Sequence, residues 1–262
     1  MLRPRIIPCL LVRNKGLVKT VQFQDGKYVG DPINAVRIFN EKEVDEIVVL
    51  DIDATVKGAE PDHGMIRNLA AECRMPLCYG GGVRTVEEAV AIIKMGVEKV
   101  ALSAAAVENP ALVSGIAKFV GNQSVVVVLD VRRNPKTGAP ELWTHNGTRN
   151  THQDPVAFAR QMEDLGAGEI TVNAIDRDGM MKGYDVELAE SVRSAVTVPL
   201  TILGGAGSLK DIEQLIRRFG IVGAAAGSLF VFKGVYRAVL INYPNRAEKA
   251  GICAGATAGA AR

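Results

Sequence analysis

The sequence repeats itself, and this internal repeat limits the possible folds more than any other feature. Residues 81–105 match residues 204–228 at an offset of about 123 residues. Residues 45–53 match residues 168–176 in the same way. The longer copies each join a glycine-rich segment, an amphipathic helical pattern and an apolar run. The chain is therefore expected to fold as two similar halves related by pseudo-twofold symmetry.

Short apolar runs alternate with helical patterns along the sequence, as in parallel strands that are buried on both faces. There are eight runs, at residues 5–12, 46–53, 76–81, 99–104, 124–130, 169–176, 199–205 and 222–227. With no Rossmann glycine fingerprint present, they predict an α/β fold, a single (β/α)8 TIM barrel over residues 1–245. Residues 246–262 are rich in Ala and Gly without apolar periodicity and are predicted to be a disordered tail.

Composition narrows the class of ligand. The 31 basic and 29 acidic residues give a net charge of +2, which indicates neither a nucleic-acid nor a membrane partner. No apolar run approaches the roughly 20 residues of a transmembrane helix. The four cysteines and three histidines lack metal-ligand spacing, so no metal or cofactor is expected. Without a signal peptide, the cysteines are expected to be reduced thiols in a cytoplasmic protein that binds a small molecule.

Glycines and serines end four of the predicted strands, at the face where a barrel carries its active site. Glycine lets backbone N–H groups approach a phosphate closely, and the helix that follows adds its N-terminus. The repeat pairs these ends into two predicted phosphate-binding sites, suited to a ligand with a phosphate at each end. The residues are Gly81, Gly82 and Ser103 in one half and Gly204, Gly205, Gly227 and Ser228 in the other. Tight turns alone are the alternative.

Asp130 ends the fifth apolar run and is the candidate acid–base residue. A structural pairing with Arg132 or Arg133 is the alternative. Aspartates also end the second and sixth runs in pairs, and one member of each pair is expected to face inward while the other caps a loop: Asp51 and Asp53, then Asp176 and Asp178. Trp143 and His145 lie in a predicted hairpin after the fifth run, which is either a lid over the mouth or an inert turn.

Nine short motifs give the sequence a specific resemblance. They are RIIPCL (5–10), GDP (30–32), LDI (50–52), YGGGV (79–83), AAVENP (105–110), GAGEI (166–170), IDRDG (175–179), GYD (183–185) and GGAG (204–207). In this order they resemble the cyclase subunit of imidazole glycerol phosphate synthase. The resemblance implies a barrel partnered with a class I glutaminase, whose ammonia crosses the barrel interior. At the mouth it meets a bisphosphate substrate and yields imidazole glycerol phosphate and aminoimidazole carboxamide ribotide.

The same resemblance assigns roles at the opposite end of the barrel. The family's ammonia gate is a ring of four charged residues, which match Arg5, Glu46, Lys99 and Glu169 here. Glu98 and Gln123 fall where the family contacts its glutaminase. Ordinary solvated strand ends are the alternative for the four charges.

The sequence departs from the family pattern at the mouth. The family carries a second catalytic aspartate at the end of its first strand, where this chain has Leu11. Leucine cannot transfer a proton, and losing an acid–base group typically lowers a rate by about 10²–10⁴-fold. Ser103, Met180 and Leu203 replace an expected Asn, Thr and Ser.

Three functions follow from this combination. The first, which the Leu-Leu run and the loop after it favour by resemblance, is a cyclase-like paralogue that docks a glutaminase and supplies ammonia to a sugar amidotransferase of surface-polysaccharide biosynthesis. The second is an authentic lyase-class cyclase of histidine biosynthesis. The third is an inactive scaffold for a glutaminase. The sequence does not identify the final acceptor of the ammonia.

Overall fold

A computed structural model of the chain describes residues 3–234 and 236–254. Its strands are β1 Arg5–Arg13, β2 Gly16–Val21, β3 Gln24–Gly30, β4 Ile47–Asp51, β5 Leu77–Gly80, β6 Lys99–Leu102, β7 Val125–Arg133, β8 Pro140–Thr144, β9 Arg149–Asn150, β10 Glu169–Ala174, β11 Leu200–Leu203, β12 Gly223–Ala226, β13 Phe232–Lys233 and β14 Ala238–Val239. Its α-helices are α1 Pro32–Glu41, α2 His63–Glu72, α3 Val86–Lys94, α4 Ala104–Glu108, α5 Ala111–Val120, α6 Pro155–Asp164, α7 Val186–Arg193, α8 Leu209–Phe219, α9 Ser228–Val231 and α10 Arg246–Ala254. None of these helices is long and apolar enough to span a membrane.

The predicted barrel is confirmed. Eight parallel strands pair in the closed order β1, β4, β5, β6, β7, β10, β11, β12 and back to β1. Each corresponds to one of the eight apolar runs. The main core lies between this barrel and the surrounding helices, and two smaller apolar clusters fill the barrel interior. The N-terminal strand ends form what we call the floor, and the C-terminal strand ends form the mouth.

The two halves share a local signal that starts equivalent helices. Thr85 caps α3 and Ser208 caps α8, each accepting a hydrogen bond from the backbone of the third helical residue. The side chains of Glu88 and Asp211 in turn accept a hydrogen bond from the backbone N–H of the capping residue. This completes a capping box in both halves. Both helices follow the glycine-rich strand ends and therefore hold those glycines at the mouth.

Two hairpins extend from the barrel over the mouth. Strands β2 and β3 form the first after β1, and their turn lies against the segment after β10 through the Gln22 N–H, which donates to the Asp178 carbonyl at 3.0 Å. Strands β8 and β9 form the second, after β7. These hairpins make the upper walls of the site.

The disordered tail predicted from residue 246 is wrong over Arg246–Ala254, where the chain forms α10. Asn245 starts the helix, because its side chain accepts from the Ala247 and Glu248 N–H groups while Glu248 accepts from the Asn245 N–H. This Asn-x-x-Glu signal is a relative of the capping box. Ile252 is buried against the core, which anchors the helix. The remaining predicted tail, residues 255–262, lies outside the described residues.

Replacing Ile252 with Ala tests whether α10 belongs to the folded barrel. Ile252 is 7% exposed, so its truncation should lower the free energy of unfolding by about 2–3 kcal/mol. Val239→Ala is the control, since Val239 is 47% exposed and should change stability by less than about 0.5 kcal/mol. Urea denaturation measures both values, and equal stabilities for the two variants would contradict the docking of α10.

Candidate functional site

The mouth contains two neighbouring cavities, one for each half of the barrel. The first, of about 860 Å³ including its open side, is lined by three of the predicted phosphate residues, Gly81, Gly82 and Ser103. The second, of about 470 Å³, is lined by the other four, Gly204, Gly205, Gly227 and Ser228. Leu11, Phe23 and Asn173 line both cavities and therefore form the wall between them. Each predicted group of phosphate-binding residues therefore lines one cavity.

The glycines are required by backbone packing as well. Gly81 has a φ of +124°, and a Cβ there would lie 2.5 Å from the Asp51 carbonyl oxygen. Gly205 has a φ of +109°, and a Cβ there would lie 2.1 Å from the Gly183 carbonyl oxygen. Any residue other than glycine would clash or be strained at both positions. These glycines therefore have a packing role that does not depend on a ligand.

Lys19 and Thr20 on β2 are site residues that sequence reasoning missed. The buried Lys19 Nζ donates to the Cys9 carbonyl at 2.6 Å and lies beside Gly227 in the second cavity. Burial lowers the pKa of Lys19. Thr20 Oγ1 donates to Asp178 Oδ2 at 2.7 Å, which ties the first hairpin to the end of β10. Only the tertiary fold of the hairpin brings these residues to the mouth.

Asp130 lies at the mouth, as predicted, at the barrel position between Ser103 and Asn173. Its two carboxylate oxygens accept hydrogen bonds from Ser103 Oγ and Asn173 Nδ2, both at 2.9 Å. Burial raises the pKa of Asp130 to about 6, although the two hydrogen bonds oppose the shift. Such a carboxyl group can exchange a proton near neutral pH.

The alternative pairing of Asp130 with a neighbouring arginine does not occur. Arg132 Nη1 instead donates to the Gly147 carbonyl at 3.0 Å. Arg133 forms an ion pair with Asp185 at 3.1 Å. Both arginines therefore support the loops around the mouth and leave Asp130 facing the first cavity.

One member of each aspartate pair at the ends of β4 and β10 lines a cavity, as expected, but in the first pair that member also caps the loop, since Asp51 accepts from the Asp53 and Ala54 N–H groups. Asp51 lines the first cavity, while Asp53 forms ion pairs with Arg13 and Lys57 at 3.0 and 2.8 Å. Asp178 lines the second cavity, while Asp176 accepts a hydrogen bond from the Arg133 N–H at 2.8 Å. Burial raises the pKa of both Asp51 and Asp178.

Leu11 occupies the inward position near the end of β1 and is flanked by apolar groups. It pairs in register with Leu50 on β4 and packs with Cys9 and Leu203. The second carboxylate that the family resemblance implies therefore has no substitute on β1. Asp130 is left without an acidic partner at this position.

The floor is closed by four charged side chains, which we call the charged ring: Arg5, Glu46, Lys99 and Glu169. Lys99 Nζ contacts Glu46 and Glu169 at 2.7 and 2.8 Å. Arg5 contacts Glu169 at 2.8 Å and also pairs with Glu46. The ring thus alternates in charge and is neutral as a whole. The four predicted gate residues form one connected set rather than separate solvated strand ends.

The ring is partly buried, and its charges stabilise one another. Burial alone would lower the pKa of Arg5 and Lys99, but the attraction of Glu169 and Glu46 outweighs it and raises the pKa of both. Burial would raise the pKa of Glu169, yet Arg5 and Lys99 lower it. Thr201 Oγ1 adds a donor to Glu169 at 2.5 Å. All three groups therefore remain charged at neutral pH.

Glu98 and Gln123, the predicted partner-contact residues, are exposed at the floor. Glu98 directly precedes Lys99 of the charged ring, and Gln123 precedes β7 by two residues. Their side chains face solvent and are accessible to another protein. Their contact with a glutaminase stays a prediction.

Replacing Asp130 with Asn tests the environment of this carboxyl group. Its folded-state pKa of about 6 is raised above the ordinary value of about 3.9, so its contribution to stability is present below pH 4 and is lost as the pH rises through 6. Between pH 4 and pH 7, the stability of the native chain should fall by about 2 kcal/mol relative to Asp130→Asn. Urea denaturation over this range measures the difference, and a constant difference would contradict the raised pKa.

Comparison with known proteins agrees with the geometry and with the predicted resemblance. Residues 5–237 match the family described as "Histidine biosynthesis protein". The chain is 57% identical to the "Putative imidazole glycerol phosphate synthase subunit hisF3" of Vibrio vulnificus over 95% of this chain and 96% of that protein. It is 40% identical to the "Imidazole glycerol phosphate synthase subunit HisF" of Limosilactobacillus fermentum over 89% of both chains. The chain therefore belongs to the histidine biosynthesis protein family and is a relative of its HisF cyclase subunits.

Proposed function

We propose that this chain is the cyclase-like subunit of a glutamine amidotransferase complex that docks a class I glutaminase at the floor and conducts ammonia through the barrel. The ammonia is used, together with a sugar amidotransferase, to amidate a sugar of a surface polysaccharide such as an O-antigen. The observation that carries the proposal is the combination of a complete charged ring at the floor with Leu11 at the mouth.

The barrel interior supports the passage of a small neutral molecule. Between the charged ring and the mouth, the inner side chains are mainly apolar and several are small. They include Ile7, Val48, Cys78, Ala101, Val126 and Ala225. Ammonia can enter such a lining at little cost, whereas an ammonium ion would lose its hydration. The interior therefore favours the neutral form of the transferred nitrogen.

The charged ring supports a gate that opens and closes. Burying ions costs several kcal/mol for each, and apolar side chains would close the floor at least as stably. Lys99 is one side chain that bridges two carboxylates, so moving it would open the ring while Arg5 still holds both acids. This arrangement favours conduction over a scaffold that merely binds a glutaminase.

An authentic cyclase is the second candidate, and specific observations favour it. Asp130 has a pKa of about 6, and two cavities lie on opposite sides of Leu11. Both features suit acid–base chemistry on a ligand with two phosphates. The apolar surroundings of Leu11, however, leave only one of the two acid–base groups that the resemblance implies.

The destination of the ammonia is supported by the resemblance to the surface-polysaccharide paralogues. Relatives named as putative synthase subunits are 51–57% identical to this chain, whereas two relatives named without that qualifier are 40% and 43% identical. The chain thus lies nearer to the first group.

Replacing Leu11 with Asp tests whether the mouth has lost a catalytic acid. The native chain should show no measurable ammonia-dependent turnover of the bisphosphate cyclase substrate, whereas Leu11→Asp should gain turnover, since a second carboxylate then faces Asp130. The gain should be at least about 10²-fold over the detection limit set by the native chain. Leu11→Asn is the matched control, because it adds polarity without a titratable group and should remain inactive. Native turnover at a metabolic rate would overturn the proposal in favour of the cyclase.

Replacing Lys99 with Met tests the charged ring in the complex with glutaminase and sugar amidotransferase. Glutamine-driven amidation should fall relative to glutamine hydrolysis, because ammonia escapes or is blocked at the floor, while ammonium-driven amidation should be unchanged. The matched control is Lys210→Met, which makes the same replacement at an exposed lysine of α8 that is not part of the charged ring. An equal ratio of amidation to glutamine hydrolysis in the native chain and in Lys99→Met would show that the ring does not control the passage of ammonia.

A further inference from the structure

The turn between β8 and β9 holds a histidine over the first cavity in an unfavourable backbone conformation. His145 and Asn146 have φ angles of 53° and 56°, in the left-handed region that few non-glycine residues adopt. Three side chains donate hydrogen bonds to backbone carbonyls at the turn: Thr148 Oγ1 to His145 at 2.6 Å, Arg132 Nη1 to Gly147 at 3.0 Å, and Asn146 Nδ2 to Ile52 at 2.7 Å. The last bond crosses from the hairpin to the end of β4 and fixes His145 at the cavity wall.

The imidazole of His145 has one nitrogen available to a ligand. Its Nδ1 lies 3.1 Å from the hydroxyl of Thr144, a residue that is 3% exposed. The Thr144 hydroxyl can donate to Nδ1 in the tautomer that carries its proton on Nε2. Within the described part of the chain, Nε2 makes no hydrogen bond, and its nearest charged neighbour is Glu108 at 3.7 Å. In that tautomer, Nε2 presents an N–H donor beside the first cavity.

A second, independent atom in the same space also lacks a partner. Asn173 is 5% exposed, and its Nδ2 donates to Asp130 while its Oδ1 has no hydrogen-bond partner among the described residues. Asn173 lines both cavities. A buried unpaired acceptor is costly, and a bound N–H or O–H group would satisfy it. The mouth thus offers a donor at its rim and an acceptor at its centre.

We propose that His145 is a ligand-binding residue, whose Nε2–H donates to the phosphate of a phosphate monoester in the cradle of Gly81, Gly82 and Ser103, while Asn173 Oδ1 accepts from a hydroxyl or amino group of the same ligand. The two cavities then correspond in function, because Lys19 supplies the side-chain donor in the second cavity and His145 supplies it in the first. This inference rests on the phosphate-binding mouth predicted for the proposed function.

The charges around His145 are compatible with an anionic ligand. On α4, Glu108 is paired with Arg149 of β9 at 3.1 Å, which offsets its repulsion of a phosphate. Asp51 of β4 lines the same cavity and accepts from the Asp53 and Ala54 N–H groups. Asp130 of β7 is occupied by Ser103 and Asn173. The carboxylates that face the cavity therefore already have donors of their own.

Ribose 5-phosphate, a phosphate monoester with several hydroxyl groups, is the probe. The chain contains only His63, His145 and His152, so long-range ¹H–¹⁵N spectra can resolve each imidazole. The probe should shift the His145 Nε2 resonance and leave His63 and His152 unchanged. His145→Phe should weaken binding about tenfold by calorimetry, as expected for losing one hydrogen bond to a charged group. His145→Gln, which keeps an N–H donor, should stay within about threefold of the native affinity.

The matched control is His152→Phe, because His152 also has a left-handed φ, of 57°, but is exposed and outside both cavities. Its affinity for the probe should equal that of the native chain. Native-like binding by His145→Phe, or an unmoved His145 resonance in the saturated protein, would overturn the assignment. A native chain that binds no ribose 5-phosphate would overturn the phosphate cradle together with it. Either result leaves ammonia delivery to be judged separately by the Lys99→Met coupling measurement.

Discussion

Closure of the parallel barrel is the constraint on which the rest of this structure depends. Once β1 pairs with both β12 and β4, every second residue of the strand must face the enclosed interior. Arg5, Ile7, Cys9 and Leu11 are these successive inward positions, from the charged ring at the floor to the wall between the cavities at the mouth. One strand therefore carries Arg5 of the charged ring and Leu11, at the position of the implied second acid, on the same face.

The two ends of the barrel differ in how their polar groups are compensated. At the floor, each charge of the ring contacts two of opposite sign, so removing one would leave a partly buried ion without its partner. At the mouth, Asp130 has only neutral donors, and burial is free to raise its pKa. The floor is thus a self-contained electrostatic unit, whereas the mouth contains groups that a ligand would complete.

The sequence predicts those parts of the fold that depend on local pattern. The apolar runs, the two capping boxes and the glycine-rich strand ends are each visible within a few residues, and the repeat indicates their arrangement. Lys19 and Thr20 reach the mouth only because a hairpin folds back across the barrel, and no spacing along the chain encodes that approach. The helix α10 was missed for a different reason, since its start signal at Asn245 precedes a segment with a single buried apolar anchor.

The pseudo-twofold symmetry of the backbone is not matched by the chemistry of its two cavities. The second cavity has a buried lysine and an aspartate tied to the first hairpin, while the first has His145 on the other hairpin and Asp130 at its base. Because equivalent glycines shape both cavities, the side chains that distinguish them come from the two unequal hairpins. Asn173 lies between them. Its amide nitrogen donates to Asp130, and its amide oxygen has no hydrogen-bond partner among the described residues. A ligand that spans the mouth would therefore meet different side chains at its two ends, with an N–H or O–H group near Asn173 Oδ1 between them.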